Sequence, residues 1–362
     1  MAYDVVVVGS GFAGSVIAEQ LASTGKSVLI LDKRDHIGGN CYDYNHGNIL
    51  IQKYGPHIFH TDNKQVFDYL SKFTKWNDYQ HKVLADYQGE HYPIPINLDT
   101  VNKYYNLNLN SPNELKIFLE SIREKISDIK NSRDVVVSKF GNELYEAFVK
   151  HYTKKQWDRY PQELHRMVLE RLPIRYDRNP NYFNDEFQGM PSKGFTNLFT
   201  NLLNHKNIKI ALNTDFFDVV SRLKTSKIIY TGPIDRFFNH KYGPLKYRGI
   251  NFVFEKHSIP SFQVNSVINH PDINKDFARV TEFKKFYNLD SNETVICKEF
   301  FTWDGEPSYP LMDENNLTLA KKYLQEANNK KNVYFIGRLA EYRYLNMDKA
   351  VEAALNLAKT LE

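Results

Sequence analysis

A chain of 362 residues with 42% hydrophobic and 25% charged residues has the make-up of a soluble, folded protein of two or three domains. Its net charge of +4 comes without a basic stripe, which argues against nucleic acid, and no apolar run reaches membrane-spanning length. Cys41 and Cys297 have neither disulfide nor metal spacing and no leader-like segment opens the chain, so a cytoplasmic protein is expected.

The first strong signal is residues 3–40. Val5 to Val8 form a β-branched run, the pattern of a strand buried on both faces. Gly9, Gly11 and Gly14 follow in G-x-G-x-x-G spacing; residues 15–23 then predict an amphipathic helix stopped by Gly25. A second strand, 27–31, ends at Asp32. In this order the elements predict a dinucleotide site. The glycines permit the tight turn, the approach of backbone to a pyrophosphate and close helix–strand packing, while the helix N-terminus offers free N–H groups. Asp32 stands where a carboxylate can accept from ribose hydroxyls. The bland alternative is a glycine turn made for packing alone. Gly38-Gly39-Asn40 can lay a second length of backbone along a diphosphate, which suits the extended FAD better than a nicotinamide dinucleotide.

Further on, His57 and His60 stand three apart in KYGPHIFHT without the extra ligands zinc needs. They are either structural imidazoles or rings packed near a flavin. A helix is expected over 63–73 and a hairpin over 76–96 turning at Gln88-Gly89. From 98 to 160 the period becomes helical. Ser111-Pro112 opens one helix with Leu115, Phe118, Leu119 and Ile122 as its stripe, and a second runs from about Gly141 to His151. The aromatic face Tyr145, Phe148, Tyr152, Trp157 reads as core by default, yet Thr153, Lys154, Lys155 and Arg159 beside it also suit a uridine and its diphosphate. Many of the 24 Tyr and 24 Phe lie in similarly polar surroundings, as in walls that stack on rings or sugars. Arg171, Arg175 and Arg178 follow, and arginine forks match phosphate oxygens. Helix 196–203 with strands 208–212 and 227–230 restores βα character, and 245–300 reads as antiparallel strands, one carrying Arg279. Strand 332–336, Gly337-Arg338 and helix 349–361 end the chain. The expected class is α/β: a discontinuous Rossmann-like FAD-binding domain (1–75, 190–240, 325–362), a lid-like helical insert domain (98–165) and an antiparallel β-sheet substrate domain (76–97, 166–189, 241–324).

The stretches GSGFAGS, DKRDHIGGN, YGPHIFHT, PIPINLDTVN, YTKKQW, NYFNDEFQGMP, YTGPIDRFF and GRLAEYRYLNMD, spread over essentially the whole chain, resemble the UDP-galactopyranose mutase family. That resemblance implies an isomerase interconverting UDP-galactopyranose and UDP-galactofuranose, or a close UDP-sugar, through a covalent flavin N5–sugar adduct on reduced FAD. It implies flavin contacts at Gly9, Gly11, Ala13, Gly14, Asp32, Lys33, Gly39, Asn40, His57, Ile58, Asp215, Phe216, Arg338, Leu345, Asn346, Met347 and Asp348. Phe148, Tyr152, Thr153, Trp157 and Tyr182 correspond to the uridine side, and His81, Asn269, Tyr309 and Tyr344 to further substrate positions. Arg171 and Arg279 resemble a diphosphate clamp and His60 a residue beside the isoalloxazine; these three are the expected catalytic residues. The implied partners are a UDP-sugar, a cellular reductant such as NAD(P)H and a second copy in a homodimer, with neither nucleic acid nor membrane. Pro56 stands where some members carry Ala, and Asn346 replaces an acid found in several, which leaves the sugar open. Two other readings share the N-terminal fingerprint: an amine-oxidase-like flavoprotein oxidoreductase and a non-catalytic nucleotide-sugar-binding flavoprotein. The arginine pair and YTKKQW favour a nucleotide sugar over an amine.

Overall fold

In the computed structural model, which describes residues 2–170 and 172–361, the valine run is the middle of a five-stranded parallel sheet. The order is Val333–Phe335, Lys224–Tyr230, Ala2–Val8, Val28–Leu31, Ile208–Ala211. Val6 lies opposite Ile228 on one side and Leu29 on the other. Alternation along the strand then sorts its side chains by face. Val5 and Val7 join Val16, Ile17 and Leu21 of helix Phe12–Ser23, whereas Val6 joins Phe216, Tyr230 and Ala340 on the opposite face. The last helix, Met347–Leu361, packs beside Phe12–Ser23 and adds Val351, Leu355 and Ala358 to the same core. Both ends of the chain therefore converge on one sheet, whose parallel strands direct their C-terminal ends to one edge.

A second, seven-stranded sheet runs Tyr309–Pro310, Tyr247–His257, Thr294–Thr302, Arg279–Glu282, Val267–Asn269, Val83–Tyr87, Glu90–Ile94. It is antiparallel except between Val267–Asn269 and Val83–Tyr87, which run parallel. The hairpin 83–94 turns through Gln88 (φ 55°) and Gly89 (φ 82°), two consecutive left-handed residues that match the twist of the flanking strands.

Between these strands lies a helical segment: Leu98–Tyr105, Pro112–Ile122, Ser132–Leu144, His151–Trp157 and the short Met167–Glu170. The expected single helix from about Gly141 to His151 is not what forms. Gly141 breaks the helix Ser132–Leu144 with non-helical φ 78° and ψ 172°, and glycine is needed there because a Cβ would stand 2.7 Å from the Ile122 carbonyl oxygen. A wide π-helical turn, Tyr145–Lys150, follows and hands the chain to His151–Trp157. Elsewhere the boundaries shift by a few residues. Helix Phe12–Ser23 begins earlier than expected because Gly11 is its N-cap, so Gly14 already lies in its first turn, and the last helix starts at Met347 rather than Lys349. Among the described residues no helix is long and apolar enough to cross a membrane.

Candidate active site

The turn after the first strand requires glycine for steric reasons. Gly9 has φ +98°, and a Cβ on it would fall 2.2 Å from Thr231 Oγ1. A Cβ on Gly14 would fall 2.0 Å from the Gly9 carbonyl oxygen, so the helix could not rest against the turn. Gly39 approaches until a Cβ on it would be 2.9 Å from Gly11 Cα, and Gly38 N–H donates to Ser10 O at 3.0 Å. Two lengths of bare backbone thus meet. Asp32, buried at 7% exposure, accepts from Ser10 N–H (2.8 Å) and Oγ–H (2.5 Å) through Oδ2, and from Arg34 N–H (3.0 Å) through Oδ1. Its carboxylate fixes the turn as well as lining the cleft beside it.

That cleft encloses about 410 Å³, within the range of small-molecule sites. The glycine turn, Asp32 and Gly38-Gly39 line it, together with Asp215, Phe216, Thr231, Arg338 and Met347. The start of helix Phe12–Ser23 and the cations Lys33, Arg34, Arg236 and Arg338 also stand on its walls, a donor set for an anionic dinucleotide. Glu306 pairs with Lys33 (3.1 Å) and Arg34 (2.5 Å) across it.

His57 and Arg338 line the cleft and also stand next to a second group of side chains, since Arg279 acts on His57 and Arg338 lies over Tyr309 and Tyr344. Gln52 holds the His57 backbone from both sides: its Oε1 accepts from His57 N–H (2.7 Å) and its Nε2 donates to His57 O (2.9 Å). The imidazole Nδ1 lies 3.0 Å from Gly55 O, and a carbonyl partner makes that nitrogen the protonated one. Burial, reinforced by Arg338 and Arg279, lowers the His57 pKa to about 4, so the ring is neutral at pH 7. The Arg338 guanidinium donates to Leu345 O (2.7 Å) and Ser308 O (3.3 Å) and lies 5.1 and 5.2 Å from the ring centres of Tyr309 and Tyr344. Those two rings stack at 5.8 Å and 12°. Burial, then Tyr344, pushes the Tyr309 hydroxyl up to about 12.

That second group, a cluster of side chains termed the Arg279 chamber, centres on the guanidinium. Asn269, Arg279 and Glu299 sit in register on three neighbouring strands. Arg279 Nε donates to Asn269 Oδ1 (3.2 Å), Nη2 donates to the Tyr152 hydroxyl (2.8 Å), and Nη1 lies 3.6 Å from Glu299 Oε2. Glu299 is 2% exposed; burial raises its carboxyl while the guanidinium opposes the shift. Tyr152 arrives on helix His151–Trp157, and Trp157 at the end of that helix places its ring 6.4 Å from Tyr309. The helix is fastened from outside. Arg248 donates to the carbonyls of Gln156 (3.0 Å) and Lys155 (3.3 Å), and Lys155 Nζ donates to His270 O (2.7 Å) and Phe277 O (3.0 Å).

Comparison with known proteins matches residues 147–344 to the family model described as UDP-galactopyranose mutase. A "Probable UDP-galactopyranose mutase" of Klebsiella pneumoniae is 39% identical over 363 residues, covering 98% of this chain and 94% of its own. The chain belongs to the UDP-galactopyranose mutase family. It is an enzyme of the mutase class, an isomerase. Residues 7–73 also match a model described as an NAD(P)-binding Rossmann-like domain. A dTDP-fucopyranose mutase of Escherichia coli is 37% identical, covering 98% of this chain and 97% of its own. The solved structure of a reduced UDP-galactopyranose mutase superposes with a TM-score of 0.79 over 99% of this chain and 95% of its own at 17% identity, a likeness of fold.

Within this member of the UDP-galactopyranose mutase family, the structure gathers Tyr152, Asn269, Arg279, Tyr309 and Tyr344 into one cluster, with Trp157 beside Tyr309, and with Arg338 joining it to the cleft that His57 also lines. Other expected residues make contacts of their own. Phe148 is buried among Tyr87, Tyr92 and Tyr104, with centroids 5.1–5.7 Å away. Thr153 and Ile58 are buried, Ile58 in the main core. Asp215 lines the cleft while capping a short helix through Phe217 N–H and pairing with Arg236 at 2.7 Å. Asp348 takes the Thr61 hydroxyl at 3.2 Å. His81 is buried beside Tyr182, with ring centroids 5.5 Å apart. Arg171 lies outside the described residues.

Three residues touching this group were not anticipated: Gln52, Arg248 and Glu299. Gln52 had a faint signal, a lone amide closing the apolar run ILIQ. Nothing in the chain marks Glu299, whose place opposite Arg279 is set by strand register. Cys41 and Cys297 are free and buried, with Cys41 Sγ 3.5 Å from Met347 Sδ. Among the described residues no group of three His, Cys, Asp or Glu could hold a metal.

Proposed function

We propose that the chain is an FAD-dependent mutase that converts UDP-galactopyranose to UDP-galactofuranose with its flavin reduced. The observation that carries this reading is the Arg279-centred cluster beside the dinucleotide cleft, whose wall carries His57 and Arg338, His57 feeling the Arg279 charge and Arg338 lying over Tyr309 and Tyr344. FAD suits the cleft because Gly11 and Gly39 leave a backbone cradle that side chains would fill, and four cations line it. Reduced flavin, when bound, supplies an electron-rich N5 toward the anomeric carbon.

The rest of the chemistry falls to the chain. Arg279 holds the departing diphosphate and balances its growing charge. Glu299 behind it and Asn269 beside it fix the guanidinium plane, and the Tyr152 phenol, kept protonated by burial, extends the donor set. Arg171 shares the clamp in this reading. Tight retention of UDP keeps its return to the sugar effectively intramolecular. Trp157, Tyr309 and Tyr344 wall the chamber against water. Phe148, Thr153, Tyr182 and Trp157 take the uridine side, His60 lies beside the isoalloxazine, and the remaining flavin contacts are those that line the cleft. The same reading makes the enzyme a cytoplasmic homodimer kept active by a reductant such as NAD(P)H.

A relative at 37% identity that acts on dTDP-fucopyranose favours a second reading, in which the nucleotide is dTDP and the sugar lacks its 6-hydroxyl. One experiment addresses both. The FAD-loaded protein, oxidised or reduced with dithionite, is incubated with UDP-galactopyranose, UDP-N-acetylgalactosamine, UDP-arabinopyranose and dTDP-fucopyranose, and the products are chromatographed. A furanose from UDP-galactopyranose in the reduced sample alone is expected. Equal turnover by oxidised enzyme, with reductant excluded, would overturn the role of the flavin; turnover of dTDP-fucopyranose alone would overturn the choice of substrate.

A further inference from the structure

We infer that Asp185 is the positioning residue of His60, holding the imidazole in one orientation and one tautomer; this rests on the reading above that His60 serves the flavin site. His60 lies on strand Phe59–Thr61, which pairs with Phe187–Gly189 so that His60 faces Gln188. Just before that second strand the chain folds back over the ring. Phe183 lies flat on the imidazole, with centroids 3.6 Å apart and planes at 12°, and Asp185 Oδ2 stands 3.1 Å from Nδ1. The imidazole side chain is only 13% exposed, and its Nδ1 is buried. Asp185 Oδ2 comes to this distance of Nδ1 off the line of an N–H hydrogen bond, so on a neutral imidazole the carboxylate acts through its charge.

The segment that carries Phe183 and Asp185 is itself fixed at four points. Tyr182 N–H donates to His81 O (2.6 Å), buried Arg175 donates to Tyr182 O (3.0 Å) and to Asn184 Oδ1, Glu186 N–H donates to Asp62 Oδ1 (2.8 Å), and Gln188 Nε2 donates to Asp185 O (3.2 Å). Such anchoring is more than a surface acid needs. With one face covered and a negative charge at Nδ1, the proton is favoured on Nδ1 and Nε2 is left as the acceptor. Asp185 also acts on Lys349 through its charge, and in this inference its effect on the site passes through His60.

The test uses FAD-loaded protein with 15N-labelled histidine, comparing wild type, Asp185→Asn, Asp185→Glu, His60→Asn and the Asp185→Asn/His60→Asn double variant. The expected wild-type ring shifts are those of an Nδ1–H, Nε2-acceptor imidazole. Asp185→Asn should mix the tautomers and lower kcat about tenfold, with KM within about twofold and flavin content unchanged. Asp185→Glu should recover most of the loss. In the His60→Asn background, Asp185→Asn should cost nothing further. Unaltered His60 shifts in Asp185→Asn, or losses that multiply in the double variant, would overturn the assignment while leaving the flavin reading in place. Wild-type turnover in His60→Asn would remove that reading of His60 and this inference with it.

Discussion

Between residues 9 and 39 the cleft wall is backbone. Gly9, Gly14 and Gly39 each stand where a Cβ would come within 2.9 Å of a neighbour, the first two inside one strand–helix–strand unit and Gly39 shortly after it. At Arg279 the wall is side chain instead. Tyr152, Asn269, Glu299, Tyr309 and Arg338 reach the chamber from distant parts of the chain, and a helix clamped by Arg248 and Lys155 supplies one of them. The first region is specified by what must be absent, and its geometry tolerates almost no added atom. The second is specified by charges and rings that must be present together, and each can be removed singly.

The largest effect should come from adding one methyl to the first region. In Gly14→Ala the new Cβ presses on the Gly9 carbonyl at 2.0 Å, and neither group is a flexible side-chain tip. We expect loss of flavin retention through gel filtration and a fall of about 3 kcal/mol in urea unfolding. Gly25→Ala is the control. Gly25 has φ +92° but nothing within 4 Å of its would-be Cβ, so only backbone strain, about 1 kcal/mol, should appear and flavin should stay. Gly14 itself has no positive φ, so a Gly14→Ala protein that keeps its flavin and its stability would show that contact with the Gly9 carbonyl does not make the turn need glycine.

In the second region, Arg279→Ala should lower turnover by about 10²- to 10³-fold, the scale of one lost charge-stabilising donor. It should also destabilise the protein by about 2 kcal/mol, because Glu299 keeps a buried charge without its partner. Adding Glu299→Gln should restore the stability and leave turnover low. A double variant that regains neither would show that the pair does not account for the stability loss.

The same contrast governs what the chain discloses when read as letters. Gly9, Gly11 and Gly14, the strand before them and the helix after them lie within thirty-odd residues, and local spacing alone predicts their turn. The hairpin at Gln88-Gly89 and the helix opened by Ser111-Pro112 are legible for the same reason, a short signal with a local cause. The chamber is not local. Arg279 meets Glu299 only because two strands choose one register, and Tyr152 meets Arg279 only because a π-helical turn rotates the helix that carries it. Resemblance to a family pointed to Tyr152, Asn269 and Arg279; it did not supply Glu299, Gln52 or Arg248. Gly141 was misread for a related reason: a glycine within a helical pattern shows its break only when the Ile122 carbonyl is seen against it.

Acid should expose a third difference. His81 is buried beside the chamber, and burial first, then Arg279 and His60, lower its pKa from the ordinary 6.5 to about 3. A folded-state value below the unfolded one means that the unfolded chain binds the proton more readily. The stability this contributes is therefore complete above pH 6.5 and is lost as pH falls toward 3. Between pH 6.5 and 4 the wild type should lose about 3 kcal/mol more than His81→Asn in paired urea titrations. His57, lowered to about 4, should leave some acid sensitivity in the variant. Parallel curves for the two proteins would show that His81 is not held neutral.

The smallest effect is expected at a helix cap whose hydrogen bonds are local, and it tests whether the helical segment is energetically separate. Ser111 Oγ accepts from Glu114 N–H at 3.2 Å, and Asn110 N–H donates to Glu114 Oε2 at 2.7 Å, so this helix start is capped from both directions. Ser111→Ala should cost about 1 kcal/mol in thermal unfolding, with flavin content and turnover unchanged. The helix Pro112–Ile122 ends against Gly141, directly before the turn that sets Tyr152 on its course. A cap that only anchors the segment should leave the Arg279–Tyr152 contact intact and kcat with it. If kcat falls along with stability in Ser111→Ala, strain at the Ile122–Gly141 contact is reaching Tyr152, and the chamber extends energetically into a helix that touches none of its residues.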